Sequence, residues 1–316
     1  AKGDGFDQLE KKLESPSSLN SNTEEPSEKQ LQNLINQYSQ GQYQETLNEA
    51  KKLLIKFPNS VNLYNIIGSA NKGLGHLGEA FEAFKKAISI KPDYAEAFNN
   101  MGTTLQEQGK LDKAIEAYKK AISIQPDYAE ACNSIGITRR KQGKLDKAIE
   151  AYKKAISIQP DYAEAYNNMG NALREQGKLE IAIKDYKKAI SIKPDYADAY
   201  YNMGITLNEQ GKLDKAIEAY DKAVSIKPEF AQAYNNSSEL LKVYSPKGKK
   251  SHILFQIDNN IKELSFKLLS AKTDKEVIDN IQKGLNYIKE DKFTYKTSLS
   301  QIYKRNGKDL NCKRHK

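Results

Sequence analysis

The sequence predicts an all-α chain, built as an array of stacked helix-turn-helix units, and three observations carry that prediction. A proline returns every 34 residues, at Pro58, Pro92, Pro126, Pro160, Pro194 and Pro228. A fixed period of this length marks copies of one small unit stacked in line rather than a single central core. The text between the prolines repeats too, since the stretch Gln108–Ala131 recurs letter for letter at Gln142–Ala165. Within each copy, apolar residues fall at helical spacing in two runs, and proline closes the second.

Aligned on the prolines, copies start at Ser27, Val61, Ala95, Ala129, Ala163 and Ala197. A seventh starts at Ala231 and loses the pattern after its first half. Residues 1–26 are polar, with too few apolar groups to offset the entropy of ordering, and are read as a disordered leader. Residues 27–60 form a degenerate first copy, with Thr46 at position 20 and Ala50 at position 24. Residues 61–230 hold five strong copies. In the copy from Ala163, the first helix presents Ala165, Tyr166, Met169, Gly170 and Leu173, and Gly177 ends it. The second presents Ala182, Ile183, Tyr186, Ala189 and Ile190. Residues 231–246 read as a closing helix ending at the breaker Ser245–Pro246–Lys247–Gly248. Residues 247–316 read as a basic helical segment. Ile253, Leu254, Ile257, Ile261, Leu264 and Leu268 share one face there, and Thr273 with Glu276 forms a capping box.

Small residues recur in register. Gly68, Gly102, Gly136, Gly170 and Gly204 occupy position 8, and Ala80, Ala114, Ala148, Ala182 and Ala216 occupy position 20. A glycine inside a helix costs about 1 kcal/mol relative to alanine. Repeating that cost predicts paired helices too close for a side chain, with Tyr118, Tyr152, Tyr186 and Tyr220 at position 24 filling the space beside the contact.

An aromatic at position 4, Gly at 8, Ala at 20, an aromatic at 24, Ala at 27 and Pro at 32 together resemble the tetratricopeptide repeat, over residues 27–244 and most strongly over 61–230. The resemblance implies a right-handed superhelical solenoid whose first helices line a concave groove through positions 2, 5, 6, 9, 12 and 13. Asn65, Asn99, Asn133, Asn167 and Tyr201 then stand at position 5, and Asn100, Asn168 and Asn202 at position 6. Asparagine offers a donor and an acceptor from one amide, which suits the backbone of a bound peptide. This ladder is similar to the inner face of the repeat arm of O-linked N-acetylglucosamine transferases. Asn171, Arg140 and Arg174 complete the candidate groove, and Glu96, Glu130, Glu164 and Asp198 make an acidic row at position 2. Family members that clamp a terminal carboxylate use Lys at position 5, and no copy here has one.

Composition narrows the function further. The net charge is +9, but residues 247–316 carry 17 Lys/Arg against 8 Asp/Glu while the repeats are nearly neutral. A nucleic-acid reading from overall basicity is therefore weak, and sparse aromatic residues among the C-terminal lysines weaken it again. Two cysteines argue against a disulfide framework and for a reducing, cytoplasmic setting. No run is long and apolar enough to span a membrane. Cys132 replaces the aromatic at position 4 and reads as a buried, inert thiol. Cys312 and His315 have the spacing of half a zinc site, with no matching pair upstream, so no metal or cofactor is expected. No phosphate-binding loop or nucleophilic triad stands out. The expected function is non-catalytic: a scaffold that holds an extended or helical segment of a partner protein. The alternatives are the targeting arm of a larger glycosyltransferase-like enzyme, and a nucleic-acid binder that uses its basic tail.

Overall fold

The structure, a computed structural model, describes residues 25–243, and every element among them is a helix. The expectations for the leader up to residue 24, for the breaker, for the basic segment 247–316 and for the Cys312–His315 pair lie outside the described residues. Two compact units divide the chain after Pro194.

The first unit contains α1 (Glu28–Ser39), α2 (Tyr43–Lys56), α3 (Val61–Gly73), α4 (Leu77–Ile90), α5 (Ala95–Glu107), α6 (Leu111–Ile124), α7 (Ala129–Lys141), α8 (Leu145–Ile158), α9 (Ala163–Glu175) and α10 (Leu179–Ile192). Each odd-numbered helix packs on the helix that follows it, and α2, α4, α6 and α8 each pack on the first helix of the next copy. The second unit contains α11 (Ala197–Glu209), α12 (Leu213–Ile226) and α13 (Ala231–Val243), with α12 packed on both neighbours.

Local chemistry sets the helix ends. The glycine at position 15 takes φ between +70° and +79° in six copies, from Gly41 to Gly211. Only glycine enters this left-handed region at no steric cost, so the first helix stops there and the chain reverses. The second helix ends just before the periodic proline, because a residue preceding proline is pushed into extended backbone; Lys91, at φ −127° and ψ 91°, is typical. Ser60 caps α3 with its hydroxyl, accepting from the Leu63 N–H at 3.1 Å. The carboxylate of Glu25 sits on the same helix end, accepting from the Val61 N–H at 2.9 Å and from the Ser60 hydroxyl. The expected leader therefore gives up its last two residues: Glu25 caps α3, and Pro26 is buried.

The core of the first unit is built of small and aromatic side chains. Ala80, Ala114, Ala148 and Ala182 are fully buried, as are Phe84, Tyr152 and Tyr186. The reason for the glycine at position 8 differs from the expectation. The ring at position 24 does not fill space beside the glycine but lies directly on it. A Cβ added to Gly170 would stand 2.6 Å from Tyr186 Cε1, and one added to Gly136 would stand 2.4 Å from Tyr152 Cε1. The first copy solves the same contact with the sizes exchanged. Leu34 replaces the glycine and Ala50 replaces the aromatic, and both are completely buried in one cluster with Leu63 and Ile66.

Candidate functional site

The face expected to bind a partner is built from the first helices of successive copies, and the asparagines at position 5 have a different place on it from the one their sequence position implies. Asn65, Asn99, Asn133 and Asn167 are 1%, 3%, 4% and 5% exposed. The expectation of an exposed polar stripe is corrected at these residues. The amides of Asn65 and Asn133 lie between neighbouring copies and join them. Asn65 donates through Nδ2 to Glu96 Oε1 at 2.7 Å and accepts from Asn100 Nδ2 at 3.0 Å. Asn133 accepts from Asn168 Nδ2 at 3.1 Å, and its own Nδ2 points to the Tyr162 hydroxyl at 3.5 Å. One amide carries donor and acceptor on a flat group, so it can bond both ways across a helix–helix seam.

The position 6 residues follow from this pattern. Asn100 is buried, while Asn168 and Asn202 are half-buried. Tyr201, in the second unit, is not part of an amide ladder. Its ring packs against Phe230 at 4.8 Å and Tyr220 at 5.9 Å between centroids. Two changes occur together here: the asparagine of position 5 becomes tyrosine, and the tyrosine that ends each of the copies from Val61, Ala95, Ala129 and Ala163 becomes phenylalanine. An amide–phenol contact is replaced by an aromatic pair.

The acidic row is graded. Glu96 is 2% exposed and also accepts from the Tyr94 hydroxyl at 3.3 Å. Burial holds the Tyr94 phenol well above its ordinary pKa, and the Glu96 charge adds to the effect. Glu130 and Glu164 are half-buried and Asp198 is exposed. Lys193 Nζ approaches Glu164 at 3.4 Å. Arg140 pairs with Glu175 at 3.2 Å, Arg174 is half-buried, and Asn171 accepts from the Tyr186 hydroxyl at 2.8 Å. Half-buried inner positions therefore concentrate on α7 and α9.

Helix α7 departs from both of its neighbours, α5 and α9. Cys132, Ser134, Ile137 and Arg139 stand where α9 has Tyr166, Asn168, Asn171 and Leu173. Cys132 is 1% exposed in a cluster with Ala155, Tyr162 and Ala165, and burial pushes its thiol up. A protonated, enclosed thiol is a poor nucleophile. Ser134 is too short to make the bond that Asn100 and Asn168 make to the preceding copy, and Asn99 Oδ1 is left buried without a partner. Ile137 cannot accept the bond that Thr103 and Asn171 accept from their copies' tyrosines, and the fully buried Tyr152 hydroxyl is likewise without a partner. Sequence reasoning grouped Asn99 with the other asparagines and missed both orphans. The signal was present in the breaks at positions 6 and 9 of one copy.

Known proteins place this architecture. No curated protein matches the chain. A crystal structure of the APC/C hetero-tetramer Cut9–Hcn1 is 16% identical with a TM-score of 0.61, covering 89% of this chain and 52% of that one. A structure of Pseudomonas aeruginosa PilF is 18% identical with a TM-score of 0.55, covering 71% of this chain and 97% of that one. A crystal structure of MamA is 30% identical with a TM-score of 0.46, covering 52% of this chain and 97% of that one. Residues 68–109, 136–173 and 170–208 match a family model described as TPR repeat, and residues 95–128 and 197–230 match one described as Tetratricopeptide repeat. With helix pairs recurring at the same period in the structure, these matches show that the chain belongs to the tetratricopeptide repeat family.

Proposed function

We propose that this chain is a non-catalytic protein-interaction scaffold, holding an extended or helical segment of a partner on the face formed by the first helices of its copies. The observation that carries the reading is the change in character along that face. On α3 and α5 the position 6 side chains are sealed, with Ile66 and Asn100 buried. On α7 and α9 the same face opens into half-buried polar and charged groups: Glu130, Ser134 and Arg140, then Glu164, Asn168 and Arg174. Partly open, mixed-charge positions held on rigid helices suit recognition, because their geometry is fixed before a partner arrives. No helix among the described residues is long and apolar enough to cross a membrane.

The test uses the full chain and a phage-displayed library of random peptides. Binding of the enriched peptides is compared between the parent, the inner reversal Glu164→Lys/Arg174→Glu and the outer reversal Lys187→Glu/Lys188→Glu on the exposed face of α10. The inner change is expected to weaken binding about tenfold or more, equal to about 1.4 kcal/mol, and the outer change to leave it intact with melting unchanged. Equal effects from both, or no enriched peptide, would sink the reading.

A further inference from the structure

Departures from the repeat pattern fall into two kinds. Some are compensated within the chain: Leu34 by Ala50, and Tyr201 by Phe230. In the copy from Val61, Phe84 carries no hydroxyl to satisfy. The departures on α7 are not compensated. Ser134 leaves Asn99 Oδ1 without a donor, and Ile137 leaves the Tyr152 hydroxyl without an acceptor, with both atoms buried. An unpaired buried polar group costs about 1–3 kcal/mol. The second helix of this copy, α8, is identical in sequence to α6, so the divergence is confined to the inner helix.

The gap has a defined chemistry. In the equivalent places, a carboxamide at position 6 donates Nδ2 to the position 5 acceptor of the preceding copy, at 3.0 Å from Asn100 and 3.1 Å from Asn168. At Ser134 that carboxamide is missing, the acceptor remains, and Ser134 itself is half-exposed. One and two turns further along α7 lie Ile137, half-buried and apolar, and then Arg140 and the exposed Lys141. The stripe reads acceptor, aliphatic surface, cations.

Resting on the scaffold reading above, we propose that α7 is the specificity-determining element, and that the partner is a peptide whose asparagine or glutamine side chain supplies the missing carboxamide to Asn99. The same peptide lays an aliphatic residue on Ile137 and turns a carboxylate toward Arg140 and Lys141. A carboxamide matches the site in size and shape, because it reproduces the flat, uncharged N–H donor that Asn100 and Asn168 supply in the neighbouring copies. Recognition follows from satisfying a buried acceptor, and a peptide lacking the amide leaves that acceptor unpaired.

The experiment continues with the peptides enriched on the full chain. Enriched sequences are expected to share an Asn or Gln beside an aliphatic and an acidic residue. Replacing that amide residue by alanine should weaken binding about tenfold, a loss of about 1.4 kcal/mol. Ser134→Asn, which fills the gap from within, should raise the melting temperature and weaken binding by a similar factor. In the double-mutant cycle the two losses should not add. Lys187→Glu/Lys188→Glu, on the exposed face of α10, leaves this face untouched and should bind like the parent, which separates loss of the site from loss of fold. If Ser134→Asn raises the melting temperature while binding is unchanged, the gap holds only water and the proposal is overturned. If that result comes with a large loss from Glu164→Lys/Arg174→Glu, the scaffold reading stands without it. Indifference to both changes removes both.

Discussion

The first copy and the copy from Ala129 both break the repeat pattern, and they break it in opposite ways. In the first, a leucine stands where a glycine belongs and an alanine where an aromatic belongs. The two changes cancel, and Leu34 and Ala50 are completely buried. In the copy from Ala129, Ser134 and Ile137 each remove one half of a bond and nothing replaces it. Close packing tolerates an exchange that conserves volume across a contact. A buried polar group without a partner has no such escape. Matched departures therefore mark structure, and unmatched ones mark places to look for a ligand. Asp185 is a further unmatched departure. It stands at position 23, where the copies from Val61, Ala95, Ala129 and Ala197 have alanine, and it is 8% exposed with Oδ2 unpartnered.

The comparison breaks most visibly at the glycine–ring contact. Gly170→Leu forces a side chain into the Tyr186 ring, whose edge lies 2.6 Å from the added Cβ. Overpacking of this kind costs about 3 kcal/mol, the upper end of its usual range. The double variant Gly170→Leu/Tyr186→Ala recreates the first-copy pairing of Leu34 with Ala50 and should recover part of that loss in urea unfolding. If the double variant is no more stable than the single one, the two pairings are not alternative solutions to one contact.

Asp185→Ala should follow in size, with the opposite sign. Burial raises the Asp185 pKa from 3.8 to about 6, against the pull of Lys184 and Lys153. The folded state therefore holds a proton that the unfolded state releases, and the parent loses stability as pH rises from about 4 through about 6. The alanine variant lacks this term. It should match the parent below pH 4 and exceed it by about 2 kcal/mol at neutral pH. Melting curves across that window, read as the difference between variant and parent, check the sign; a constant difference would contradict it.

The smallest effect tests the aromatic exchange. Tyr201→Asn should destabilise the second unit by about 1 kcal/mol, since an aromatic pair contributes about 0.5–1.5 kcal/mol beyond its area, and Phe230→Tyr by about as much, since it sets a hydroxyl opposite a ring rather than an amide. Together they restore the amide–phenol contact of the earlier copies and should cost less than their sum. Additive losses would show that the two residues changed independently.

Much of this was legible in one dimension. The period, the helix ends at Gly177 and Pro194, and the buried faces at Ala182 and Tyr186 follow from local rules: glycine's access to positive φ, proline's effect on its neighbour, and helical spacing. These rules act within a few residues, so one copy states them fully. The roles of the asparagines could not be read that way. Positions 5 and 6 are adjacent on a helix, and whether either meets solvent depends on the copy that packs alongside. Asn65 is satisfied by Glu96 and Asn100, at separations of 31 and 35 residues. Asn99 is not, because a serine stands where its donor would come from. Sequence determined the unit and its repetition, since local backbone preference and apolar spacing suffice for that. Only the tertiary structure decided which polar groups join neighbouring copies and which are left unsatisfied, because a hydrogen bond is completed by a group from the next copy, and a missing one becomes visible only when both sides of the seam are in place.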